Sequence, residues 1–139
     1  MADLSVLIRL HKHELDEKRL ALGKLYGEMS LLERARRDLE RSFAQEKEAV
    51  DATGDIHFTF PQYAERVRQQ RRDMDSRQAL LERQIAAAKD SMMETFSELK
   101  KYEMTQQERD RLAEEERLIK ESGEMDAIGL ENFRRKGDE

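Results

Sequence analysis

The stretch LSVLIRLHKHELDEKRLALGKLYGEMSLLERARRDLERSFAQEKEAV, residues 4–50, decides the fold, because apolar side chains recur in it every seven residues in two registers at once. Ile8, Leu15, Leu22, Met29, Phe43 and Val50 form one series, interrupted at Arg36. Leu4, Leu25, Leu32 and Leu39 form the other, interrupted at His11, Lys18 and Glu46. Two series in this relation draw one apolar seam along a helix and leave the other positions to water. Such a helix must lie lengthwise against another helix to bury its seam.

The residues that follow supply the partner. Thr53-Gly54-Asp55 marks a stop, since glycine takes the left-handed conformation that ends a helix. Thr59-Phe60-Pro61-Gln62 then reads as a capping box, with Pro61 in the first turn where no amide partner is missed and Phe58 and Tyr63 placed as a hydrophobic staple. Asp3 is the expected N-cap of the first helix. The pattern predicts helices over about 4–51 and 60–121, a loop over 52–59, and an end to the second helix at Gly123.

The second helix carries Val67, Met74, Leu81 and Ala88 in one series and Ile85, Met92 and Leu99 in the other. A short loop between two long helices makes them antiparallel. The two seams then mate in a single register: Phe43 faces Val67, Leu25 faces Ile85, Leu22 faces Ala88, Leu15 lies near Phe96, His11 faces Leu99 and Ile8 faces Tyr102. The predicted fold is therefore all-α, a long two-helix antiparallel coiled-coil hairpin over residues 1–122. The register also runs out. Leu4 falls near Gln106, so beyond about Glu108 the second helix has no partner, yet Leu112, Leu118, Ile119, Met125, Ile128, Leu130 and Phe133 continue an apolar pattern on this overhang. Residues 123–139, polar with two interior glycines, read as a frayed, flexible tail.

Composition agrees with an elongated helical design. Of 139 residues 41% are charged and 37% hydrophobic, there is a single proline, and the mean hydropathy is -0.94. A two-helix seam needs few apolar residues per turn, whereas a deep globular core would need more. The absence of cysteine removes disulfides, thiolate metal sites and thiol catalysis, and suits a reducing compartment, the cytoplasm. No apolar run reaches the ~18 residues that suggest a membrane span, and the first residues, with Asp3 and no apolar run, do not resemble a secretory signal. A net charge of -5 argues against general attraction to nucleic acid or an anionic bilayer. Locally, five arginines face three acids over Ala64 to Arg77, and nine acids face four bases over Glu103 to Asp126. Such runs ordinarily form solvated helix faces.

Chemistry is sparse. His11 and His13, two residues apart, point to different sides of a helix and cannot form a helical metal pair, and His57 stands alone in the loop. No glycine-rich phosphate loop is present, because Gly23 and Gly27 lie inside the heptad pattern. The carboxylates fall into helical salt-bridge spacings rather than a pocket. No catalytic residue, cofactor or metal is expected. Gly23 and Gly27 each cost a helix on the order of 1 kcal/mol against alanine, and the register sets them opposite Ala86, Ala87 and Ala88, so close backbone packing is the expected reason. Arg36 falls opposite Asp75, a charged seam position of the kind that sets register. Ile56, Phe58, Phe60 and Tyr63 either close the hairpin end or present an aromatic cluster beside Arg66, Arg68, Arg71 and Arg72 to a partner.

The order of these parts, and the opening Leu4-Ser5-Val6-Leu7-Ile8-Arg9-Leu10-His11-Lys12-His13-Glu14-Leu15-Asp16-Glu17-Lys18-Arg19, resemble the FliJ family of flagellar export proteins. The likeness extends over nearly the whole chain and rests on layout, since that family lacks an invariant chemical motif. What the resemblance implies is a non-enzymatic component of the flagellar type III export apparatus. It would be cytoplasmic, held peripherally at the cytoplasmic face of the inner membrane without inserting. Family members look like the central stalk of rotary ATPases, reach from a hexameric export ATPase to a membrane export-gate protein, and escort substrate-specific export chaperones. Carried onto this chain, the ATPase-binding end comprises Leu4, Leu7, Ile8, Leu112, Leu118 and Ile119, and the export-gate-binding part comprises Phe43, Phe58, Phe60 and Tyr63. Competing readings are the stalk of a virulence-type III secretion system, a generic cytoplasmic coiled-coil scaffold, and a nucleic-acid-associated helical protein.

Overall fold

The computed structural model describes residues 4–54 and 59–137. They form two helices, α1 (Ser5–Thr53) and α2 (Phe60–Gly137), and no strand. Contacts divide them into two units, one comprising His13–Thr95 and the other the described residues on either side of it.

Within His13–Thr95, partners on α2 run backwards as α1 runs forwards. Lys18 reaches Ser91 and Thr95, Glu28 meets Arg77, Arg36 meets Asp75, Glu40 meets Arg71, and Phe43 stacks on Phe60. This is the antiparallel register expected from the heptads. The seam follows it: Leu15, Leu22, Ala64, Val67, Leu81, Ile85 and Thr95 are buried, while Leu25, Met29, Leu32, Leu39 and Met74 are half-buried. Leu81 and Val67 are the most enclosed, at 0% and 1% exposure. In the other unit Leu4 and Leu99 are buried, and His11 packs against Tyr102 with ring centroids 5.0 Å apart.

The polar seam positions are satisfied rather than stranded. Lys18 donates to the Ser91 carbonyl at 3.3 Å and to the Thr95 hydroxyl, and lies 3.5 Å from Glu14. Thr95, only 2% exposed, extends the Val67 to Ala88 series by one heptad. Arg36 donates to Asp75 at 2.8 Å and to Gln78 at 2.9 Å, as its seam position suggested. No buried side-chain nitrogen or oxygen among the described residues lacks a partner, which is what a partly polar seam requires.

Arg71 forks onto Glu40, donating from Nε at 2.6 Å and Nη2 at 2.7 Å. Those hydrogen bonds hold the Glu40 carboxyl below its ordinary value of 4.5. A lowered carboxyl stabilises the fold above the unfolded value and loses that contribution as pH falls through the folded one. Both groups are solvent-accessible, so the effect is small. Glu40→Gln is expected to lower the melting temperature by about 1 to 2 °C at pH 7, a difference that shrinks away as acid protonates Glu40, read from thermal melts of both proteins across pH.

Both helices run on past their expected ends. Helix α1 continues past Asp51 to Thr53, whose hydroxyl donates back to the Ala49 and Val50 carbonyls, and Gly54 then turns the chain with φ at 65°. The first turn of α1 closes from the Ile8 amide to the Leu4 carbonyl; Asp3, the expected cap, lies outside the described residues, as do Ile56, His57 and Phe58 of the loop. At the start of α2 the Tyr63 amide donates to the Thr59 carbonyl at 3.0 Å, in keeping with Thr59 as N-cap.

The largest difference is at the far end of α2, which does not stop at Gly123 but runs as helix to Gly137. A lone glycine costs only about 1 kcal/mol in a helix, and good helix formers on both sides outweigh it. Gly23 and Gly27 also need a correction. A Cβ built on either meets nothing within 4 Å, so these glycines face open space and their reason is not close packing against Ala86, Ala87 and Ala88.

Candidate interaction surfaces

Past Gln106 every described residue of α2 is exposed, so the helix has left its partner behind. The exposed side chains include Leu112 at 47%, Leu118 at 53% and Ile119 at 66%, followed by Met125, Ile128, Leu130 and Phe133. What holds this stretch helical is local. Arg111 bridges Glu108 and Glu115, and Arg117 bridges Glu114 and Glu121, at helical spacings of three and four residues. Hydrogen bonds from these arginines hold the Glu108 and Glu114 carboxyls below their ordinary range.

The residues assigned to an ATPase-binding end separate into two kinds. Leu4 is buried and Ile8 half-buried, so both are committed to the helix pair. Leu7, Leu112, Leu118 and Ile119 are presented to solvent. A binding surface built here therefore rests on the overhang and Leu7, and not on Leu4 and Ile8.

At the opposite end of the sequence pattern, Phe43, Phe60 and Tyr63 form one cluster. Their ring centroids stand 6.2, 6.2 and 6.3 Å apart, within the range of favourable aromatic contact. The Arg71 guanidinium covers Phe43 at 4.9 Å. All three rings are half-buried, so they close this end of the helix pair while leaving one side accessible. Phe58, grouped with them from the sequence, lies outside the described residues.

His11 sits at a seam position with its side chain 13% exposed; Nδ1 lies 2.8 Å from the Leu7 carbonyl and Nε2 3.3 Å from Glu98. Both nitrogens thus face oxygen acceptors, which occupies the ring structurally. His13 lies 3.0 Å from Glu17 on the exposed surface. No group of three potential metal ligands occurs among the described residues, and none of their helices is long and apolar enough to cross a membrane.

Two features escaped sequence reasoning. The Lys18–Thr95 pair was hidden because each residue interrupts an apolar series, although their matching positions in the register were a usable signal. The second is an outward apolar face on α1, where Leu20 at 69% and Leu31 at 61% flank Gly23 and Gly27. Its signal was the pair of glycines four residues apart, read there against the wrong side of the helix. Compared with protein-family models, curated proteins and solved structures, the chain matches none.

Proposed function

We propose that this chain is a non-enzymatic component of the flagellar type III protein export apparatus, a general export chaperone and stalk that links a hexameric export ATPase to a membrane export-gate protein. The observation that carries the reading is the overhang. Helix α2 outruns α1 and holds Leu112, Leu118 and Ile119 in water on a segment that is already helical. Apolar side chains so displayed suit insertion into a ring of subunits, and the surrounding acidic residues suit a basic lining. The aromatic cluster of Phe43, Phe60 and Tyr63 supplies the contact for the export gate, with substrate-specific export chaperones escorted along the way. Localisation follows from these partners: cytoplasmic, at the inner face of the membrane and not inserted in it. Hydrolysis belongs to the ATPase, so no residue of this chain is assigned a catalytic role.

The test is a titration of the purified flagellar export ATPase with the full chain, reading ATP turnover. Stimulation that saturates supports the stalk reading. Unchanged turnover, together with no binding of the chain to the ATPase, overturns it.

A further inference from the structure

We propose that the outward face of α1 centred on Gly23 and Gly27 is a two-fold self-association surface, on which a second copy of this chain docks its own α1 antiparallel. Leu20, Gly23, Gly27 and Leu31 recur at spacings of three, four and four residues, so they line one side of the helix. That side is turned away from α2. Leu20 and Leu31 are exposed, and the space beside both glycines is empty. A shallow apolar groove lined by Asp16, Arg19, Leu20, Gly23 and Lys24 opens at one end of this face, and the open space beside Gly27 continues the bare backbone toward Leu31. Backbone this accessible admits another helix to close range.

Charge selects the occupant and its direction. Asp16 lies on the same face one turn before Leu20, and Arg34 lies on it one turn after Leu31. Asp16 has a long 3.6 Å contact to Arg19, and Arg34 makes no hydrogen bond or ion pair among the described residues. The face therefore reads acid, leucine, glycine, glycine, leucine, base along the chain. Reversed and laid on itself, it puts Asp16 against the Arg34 of a second copy, Leu20 against Leu31, and Gly23 against Gly27, with every contact made twice by symmetry. A parallel arrangement would oppose like charges at both ends, and an unrelated partner would have no reason to share this palindromic order. The surface uses none of the residues of the overhang or the aromatic cluster, so it stands independently of the stalk reading.

The experiment is sedimentation equilibrium of the full chain over about 1 µM to 1 mM, the range where a surface of this modest size would associate. The mass should rise from monomer to dimer. Asp16→Arg and Arg34→Asp should each weaken the dimer at least tenfold alone. Mixed one to one they should restore it, because each then meets its complement in the other. Gly27→Gln separates association from folding: nothing obstructs a side chain there in the single chain, and glutamine is the better helix former. It should raise the melting temperature of dilute protein while weakening the dimer at least tenfold. A chain that stays monomeric throughout the range overturns the proposal. So does a dimer indifferent to Gly27→Gln, or a pair of charge variants that fails to recover on mixing.

Discussion

Replacing Leu81 with aspartate is expected to lower the unfolding free energy of the helix pair by roughly 4 kcal/mol or more. Leu81 is fully enclosed, and its seam neighbours on α2 are Val67, Met74, Ile85 and Ala88. The substitution removes a large apolar contact and puts a carboxylate in a fully enclosed site. A seam only one layer deep has no second shell of side chains to repack, so the loss falls directly on the pairing of the helices. Chemical denaturation followed by circular dichroism gives the number. Leu80→Asp is the control, because Leu80 is 38% exposed and its aspartate can reach water. Equal losses at the two positions would mean that the seam is not what holds the helices together.

Truncation after Gln107 should separate stability from partner binding. Every described residue beyond that point is exposed, so removing them is expected to move the melting temperature by no more than about 2 °C. The same truncation removes Leu112, Leu118 and Ile119, so under the proposed stalk function stimulation of an export ATPase should fall at least tenfold. Turnover titrations of full-length and truncated protein, with melts in parallel, provide both readings. A well-folded truncation that stimulates fully would place the ATPase contact at Leu7 and its neighbours instead of on the overhang. A truncation that fails to fold would show that the outer part of α2 contributes to the helix pair after all.

The paired part of the fold was legible because its information is periodic and doubled. Heptads on each helix were read separately, and they mated in one register that the Arg36–Asp75 and His11–Tyr102 contacts observe. The overhang was legible for the same reason, since it is where the register runs out of partners. Helix length was not. Gly123 carries a local stop signal, but whether a helix obeys it depends on the summed propensity of the residues around it, which a single-residue rule does not weigh. The seam's polar layer was missed because Lys18 and Thr95 become compatible only as a pair. The glycines at 23 and 27 were assigned to the correct helix and the wrong side of it. Periodicity shows that a residue lies off the apolar stripe, but a heptad count tracks only that stripe and does not register a second, outward set of leucines. For the candidate surfaces, the sequence distinguished apolar from polar positions and could not say that Leu4 is consumed by the helix pair while Leu7 is left free of it.

The arginine bridges of the outer part of α2 make its order depend on electrolyte. Arg111 and Arg117 act through exposed charges, which dissolved ions screen over about 8 Å at physiological strength and about 3 Å at 1 M. The leucine seam responds in the opposite sense, since salts excluded from protein surfaces strengthen apolar burial. One continuous helix thus combines a segment that any added electrolyte loosens with a segment that excluded salts such as sulfate tighten. A partner that shields this segment from bulk ions would meet it at its stiffest, with less conformational freedom left to surrender on docking. Ionic strength becomes a control over how long α2 is, without becoming a control over whether the two helices stay together.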